Sequence, residues 1–146
     1  MKLTHWTDYS LRVLMYCAMH AGRRPCPTIA EVAHVHGISR SHLTKVVMTL
    51  AHAGWLETTR GRGGGMRLTK PAAQISVGQI VRQTETDFHL VECFNAATSR
   101  CRMDGYCQLK HLIGRALDNY LAVLDGVTLA DLIDDQADDI GISVAR

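Results

Sequence analysis

The start of the chain, MKLTHWTDYSLRVLMYCAMH, has no uninterrupted apolar stretch, because polar and charged residues run through its hydrophobic positions. That absence excludes a secretory leader and a membrane span there, and a cytoplasmic protein with no membrane association is expected. Closely spaced C-x2-4-C pairs are missing too, and with them the usual signature of a structural zinc site. The cysteines number five, an odd count that argues against a disulfide framework. In a reducing compartment, clustered thiols point instead to metal binding or redox chemistry. Acidic residues are scarce in the first seventy positions: Asp8, Glu31 and Glu57 stand against ten lysines and arginines, a net +7. The remainder holds six basic and eleven acidic residues, a net −5, so one half suits a polyanion that the other half repels. There is no internal repeat, and 146 residues suit one domain, or one compact domain with an appendage.

From Thr7, apolar Leu11, Leu14, Met15 and Ala18 recur at helical spacing until Gly22, Pro25 and Pro27, predicting a first helix over roughly 7–21. Thr28 caps a short helix through Ile29, Val32, Ala33 and Val35 that Gly37 stops. Ser39 caps a longer one with a buried stripe of Leu43, Val46, Val47 and Leu50, ending at Gly54. Two helices across a short glycine-containing turn are the helix-turn-helix signature. Trp55–Thr59 and Met66–Thr69 then alternate around RGRGGG, which predicts a β-hairpin. Ser76 caps a further short helix through Val77, Ile80 and Val81.

From Gln108 to Leu124 a long amphipathic helix presents Leu109, Leu112, Ile113, Ala116, Leu117, Tyr120 and Leu124 on one side, an apolar face too long for its neighbours to cover. It is expected to pair with the same helix of a second subunit. Thr128 and Asp131 open a last short helix, followed by an acidic tail, expected to fray, from Asp134. The expected fold is mainly α with a small β-hairpin wing. Residues 1–72 form a winged helix-turn-helix DNA-binding domain, and 73–146 a cluster-binding loop and dimerisation helix.

In such a motif the N-terminal residues of the second helix reach base edges in the major groove, here Ser39, Arg40, Ser41, His42 and Lys45. Hydroxyls bond base edges or phosphates, an arginine pairs bidentately with guanine, and Lys45 stands where a phosphate contact is expected. The wing carries Arg60, Arg62 and Arg67 around Gly61, Gly63, Gly64 and Gly65, where absent side chains let the backbone approach phosphates or the minor groove, and Arg60 and Arg62 with Gly64 are assigned to DNA. A solvated helix end and an ordinary turn are the plain alternative. Against it, a recognition helix, a wing and a basic half all agree. The partner is therefore double-stranded DNA, a palindromic operator bound by a homodimer.

Cys93, Cys101 and Cys107 are separated by seven and five residues, and the intervening Asn95, Ser99, Asp104 and Gly105 favour a loop. Free exposed thiolates oxidise readily, and soft thiolate sets select zinc, copper(I) or iron–sulfur clusters. Without closely spaced pairs an iron–sulfur cluster is favoured over zinc, and an uncoordinated loop is the third reading. Cys17 faces the core of the first helix as a small hydrophobe. A thiol enzyme with Cys107 as nucleophile finds only His89 and His111 in this half and no helper motif, so a protein that is not an enzyme is expected. A plain protein-interaction module leaves the wing arginines and the charge division unexplained.

The opening MKLTHWTDYSLRVLMY, the segment VHGISRSHLTKVVMTLAHAG, the wing RGRGGGMRLTKP, the helix ISVGQIVRQTE, the three cysteines and LDGVTLADLI together resemble the winged-helix iron–sulfur transcriptional regulators. The likeness covers nearly the whole chain and is strongest to the nitric-oxide-sensing branch. It implies a 4Fe-4S cluster held by Cys93, Cys101 and Cys107, with a fourth ligand from an aspartate near the N-terminus of the partner subunit; Asp8 in TDYSLR stands at the matching place. It further implies a repressor released from DNA on cluster nitrosylation, which derepresses nitric-oxide detoxification genes, and a first helix that also contacts the partner subunit. Another branch has a histidine three residues after the last cysteine; here that position is Lys110, with His111 one residue late. The seven-residue gap after Cys93 exceeds the five or fewer of these relatives. A 2Fe-2S regulator of cluster assembly or of a redox response therefore stands as the alternative. An oxygen ligand holds iron less tightly than thiolate, so iron bound by Asp8 is the expected entry point for a small diatomic molecule.

Overall fold

The structure is a computed structural model, and it describes residues 2–61, 63–103 and 105–134. Arg62 in the wing, Asp104 in the cysteine loop and the acidic tail from 135 onward lie outside the described residues. Helix α1 (His5–Met19) opens on Thr4, whose hydroxyl accepts from the Thr7 amide at 3.3 Å. The helix starts two residues before the position implied by apolar periodicity, because Thr4 supplies the cap and Thr7 is buried. Its other end also comes early: the His20 amide bonds back to Ala18 and Tyr16, and the chain leaves the helix before Gly22.

Helix α2 (Ile29–His36) closes a reciprocal capping box between Thr28 and Glu31, and ends on Gly37 at φ 64°, a left-handed conformation that costs glycine nothing. Ser39 caps α3 (Arg40–His52), accepting from the His42 amide at 3.3 Å, and Leu43, Val46, Val47 and Leu50 are buried as their spacing requires. Strands β1 (Leu56–Thr59) and β2 (Gly65–Leu68) pair antiparallel, with Leu56 opposite Leu68 and Thr59 opposite Gly65. Met66 is buried on the inner face of the hairpin and its amide donates to the Pro27 carbonyl at 2.8 Å, seating the wing on the α1–α2 connection.

A short 3-10 turn at Ala72–Gln74 leads to α4 (Val77–Thr84), then α5 (Gln108–Asp125) and α6 (Leu129–Asp134). Thr128 and Asp131 cap α6 reciprocally, at 2.8 Å from the Thr128 amide and 3.3 Å from the Asp131 amide. Leu129 is fully buried and packs into the same core as Val13, Leu14, Leu43, Leu50, Met66, Ile75 and Ile80. That single core draws on segments from both sides of residue 72 and holds α6 against α1. Helices α4 and α5 meet closely at Gly78: an added Cβ there would run into the Asp125 carboxylate, which Arg82 grips with both of its terminal nitrogens.

One polar joint ties α2 to the end of α1. Arg23 forks onto Glu31 at 2.6 and 2.7 Å, and the Tyr16 hydroxyl donates to the same carboxylate at 2.8 Å. The Arg23 guanidinium, helped by the Tyr16 hydroxyl and opposed by burial, holds the Glu31 carboxyl down to about 2. A folded-state value below that of a free carboxylate means the stabilisation is complete above the ordinary carboxylate range and is lost as pH falls toward about 2. Glu31→Gln is expected to remove this dependence. Unfolding midpoints of wild type and variant, measured from neutral pH down to about 2, should converge at the acid end. A difference that stays constant with pH would show that the joint contributes nothing titratable.

Candidate nucleic-acid interface and metal-binding loop

Ser39, Arg40, Ser41, His42 and Lys45 are all exposed at the start of α3, on the side away from its buried stripe. Tertiary packing sorts them onto different faces. Arg40, with Thr44 and Met48, lines a groove of about 550 Å³ between α3, the start of α2 and the wing, which Thr28, Thr58 and Arg60 also bound. His42 and Lys45 turn toward α1, where they border a small apolar pocket with Trp6 and Tyr9. The Ser39 hydroxyl already caps the helix and lies 3.1 Å from that of Ser41. Thr44 and Met48, the latter 66% exposed, were not singled out from sequence. The signal was the i, i+4, i+8 spacing that carries Arg40's face down the helix.

In the wing, Arg60 is exposed, whereas Arg67 is paired across the strands with Glu57 at 2.8 and 3.0 Å. A Cβ on Gly64 would collide with the Thr59 carbonyl, and one on Gly65 would lie 2.5 Å from the Pro27 carbonyl oxygen. Gly64 therefore lets the hairpin close and Gly65 lets it sit flush on the body.

The α4–α5 connection carries the three clustered thiols. Cys93 lies half-buried in a single 3-10 turn (Glu92–Phe94), Cys101 is exposed, and Cys107 is half-buried at the cap position of α5, where its side chain makes no cap bond. The loop closes on itself through its own polar groups: Glu92 accepts from the Arg100 amide at 2.8 Å, and Ser99 from the Cys101 amide at 3.4 Å. Among the described residues no three His, Cys, Asp or Glu side chains are gathered tightly enough to hold a metal ion. The donor set nonetheless fits a soft, thiolate-bound group, since Cys93, Cys101 and Cys107 are all free and at least partly exposed. Cys17 and Cys26 are buried, and burial pushes the Cys17 thiol up to about 12, unlike a ligand that must shed its proton. Asp8 stands in the first turn of α1, its carboxylate 3.0 Å from Arg12 one turn on and 41% exposed.

No residue of α5 is buried in the single chain, and Leu109, Leu112 and Val123 are more than half exposed. No helix among the described residues is long and apolar enough to cross a membrane.

The family of iron-dependent transcriptional regulators described as Rrf2 matches residues 3–135. The chain belongs to the Rrf2 family. Its relatives include the HTH-type transcriptional regulator NsrR of Bacillus subtilis, 47% identical over 94% of each chain. The NsrR of Halalkalibacterium halodurans is 44% identical, covering 91% of this chain and 90% of its own. Among solved structures, IscR of T. potens superposes with a TM-score of 0.75 at 25% identity, covering 93% of this chain and 88% of that one. The global cysteine regulator CymR of B. subtilis does so with a TM-score of 0.76 at 27% identity, covering 90% and 95%. This Rrf2 protein is an NsrR-like, DNA-binding transcriptional regulator with a winged-helix fold, and not an enzyme.

Proposed function

We propose that this Rrf2 protein is a nitric-oxide-responsive repressor that carries an iron–sulfur cluster, binds a palindromic operator as a homodimer and releases it when the cluster is nitrosylated. The observation that carries the proposal is the α4–α5 loop, with three free, partly exposed thiols on a connection that ends at the first turn of α5. Its likeness to regulators named NsrR supports the choice of signal. Cys93, Cys101 and Cys107 would hold the cluster with Asp8 of the partner subunit, 4Fe-4S ahead of 2Fe-2S. When bound, the cluster supplies an iron at which nitric oxide reacts.

The chain's own residues then have distinct tasks. Cys107 sits where the loop becomes α5, so a change in its bonding reaches that helix directly. The exposed leucines of α5 supply the apolar strip for a second subunit. The Arg82–Asp125 pair and the close approach at Gly78 join α5 to α4. Through α4, which packs on both α5 and α1, a displaced α5 bears on α1 and the reading head. Ser39, Arg40, Ser41, His42, Lys45, Arg60, Arg62 and Gly64 form the DNA surface, within a reading unit of 1–72 and a sensing and dimerising unit of 73–146. The setting is the cytoplasm.

The test is operator binding by anaerobically purified holo-protein before and after stoichiometric nitric oxide. Affinity is expected to fall by about 5–150-fold, the usual span of a coupling between sites. Binding that survives complete reaction with nitric oxide sinks the sensor, and protein that never contains iron sinks the cluster. The seven-residue gap after Cys93 favours a second reading, a 2Fe-2S centre, which a Mössbauer spectrum of the same sample separates from 4Fe-4S.

A further inference from the structure

The outer face of α3 changes chemistry along its length. Arg40 opens it, and Thr44 and Met48 follow on the same side, four and eight residues on, all three exposed and all bordering the groove between α3, α2 and the wing. The Thr44 hydroxyl donates to the Arg40 carbonyl at 2.7 Å, so its one proton is committed to the helix backbone. It has none left to give a base, and what remains is a methyl group and an acceptor oxygen. Met48, one turn further, carries no hydrogen-bond donor at all. Across the groove stand Thr58 and Arg60 of the wing, so a hydroxyl and a cation lie on that rim and the apolar groups on the α3 side. An exposed methionine gains nothing from phosphates, and its place in the middle of a helix that meets DNA calls for an apolar partner on the DNA itself.

We infer that Met48 and Thr44 are specificity-determining residues that select thymine in the major groove through its 5-methyl group. The inference rests on α3 as the DNA-reading helix and adds which base its middle selects. Thymine alone presents a methyl group at the major-groove edge, where the other bases present donors and acceptors that a thioether and a methyl cannot match. Packing Met48 against cytosine N4 or guanine O6 would leave that group unpaired, a penalty that discriminates as much as the contact with thymine attracts. The unbranched methionine side chain can shift to meet the methyl group wherever the groove sets it. Arg40 suits guanine instead. Thr44 lies about 6 Å and Met48 about 12 Å beyond Arg40 along the helix axis, so the thymines they meet follow the base that Arg40 reads rather than share its position.

The experiment selects binding sites from a random duplex pool with anaerobically purified full-length protein, then replaces each thymine of the consensus singly by deoxyuridine. That exchange deletes the methyl group and leaves base pairing intact. The wild type is expected to lose about fourfold in affinity at one or two thymines of each half-site, the worth of one buried methyl group. Thr44→Ser, which keeps the hydroxyl and deletes the methyl, and Met48→Ala should each bind the thymine and deoxyuridine sites alike at the position that residue reads, whereas Thr44→Val should keep the preference. Both side chains are exposed, so the variants keep the fold. A consensus at which no deoxyuridine costs affinity overturns the inference, as does a methyl preference that survives in both Thr44→Ser and Met48→Ala. A pool that yields no consensus overturns the reading of α3 itself. Nitric oxide is absent throughout, so the outcome does not turn on the sensing loop.

Discussion

Replacing Cys107 with alanine is expected to give a folded protein that keeps its helix content but loses bound iron and acid-labile sulfide, and with them its response to nitric oxide. Folding should survive because the Cys107 side chain makes no cap bond at the start of α5 and belongs to no part of the core. Metal binding should not, because even the loss of an outer hydrogen bond to a ligand typically costs about 10–100-fold in affinity, and a ligand's loss costs more. Cys101→Ala should behave alike, since that thiol is exposed and equally free, whereas Cys17→Ala should retain iron. Iron and sulfide assays on anaerobically purified proteins decide the matter. Full iron content in the Cys107 variant would remove it from the ligand set.

Leu129→Ala should have the largest effect on stability. Its side chain is wholly buried in the core, on a helix that packs against α1 and the Ala72–Gln74 turn, and its amide donates to the Ile75 carbonyl at 2.9 Å. Truncating such a leucine leaves a cavity and costs about 2–5 kcal/mol. Against a total of about 5–15 kcal/mol for a typical domain, that loss would leave the fold marginal. Urea denaturation followed by far-ultraviolet dichroism measures it. A loss below about 1 kcal/mol would show that α6 docks loosely, contrary to its burial.

The element list was legible because local signals coincide with local structure. Thr28, Ser39 and Ser76 each accept from an amide three residues on, as capping side chains do, and Gly37 takes the left-handed conformation that ends α2. Helix boundaries were less so: α1 starts at the Thr4 cap rather than at Thr7, and the Thr4 amide is held by Glu85, distant in sequence at the end of α4, at 2.8 Å. The DNA surface was legible as a set of residues but not as faces. Whether Arg40 or His42 looks toward the wing depends on how α3 rolls against α1 and α2, which no local pattern encodes.

By itself the sequence determined the helices and the hairpin, the basic half and the three loop thiols, because capping, periodicity, turn chemistry and charge are properties of neighbouring residues. Tertiary structure alone decided that Leu129 completes the core begun by Val13 and Leu14, and that Arg67 is taken by Glu57. It also set Cys17 and Cys26 around one cavity beneath Met66. These are contacts between residues distant along the chain. Their partners are chosen by close packing and by the need to pair buried or bordering polar groups, and those constraints exist only once the helices and the wing have met.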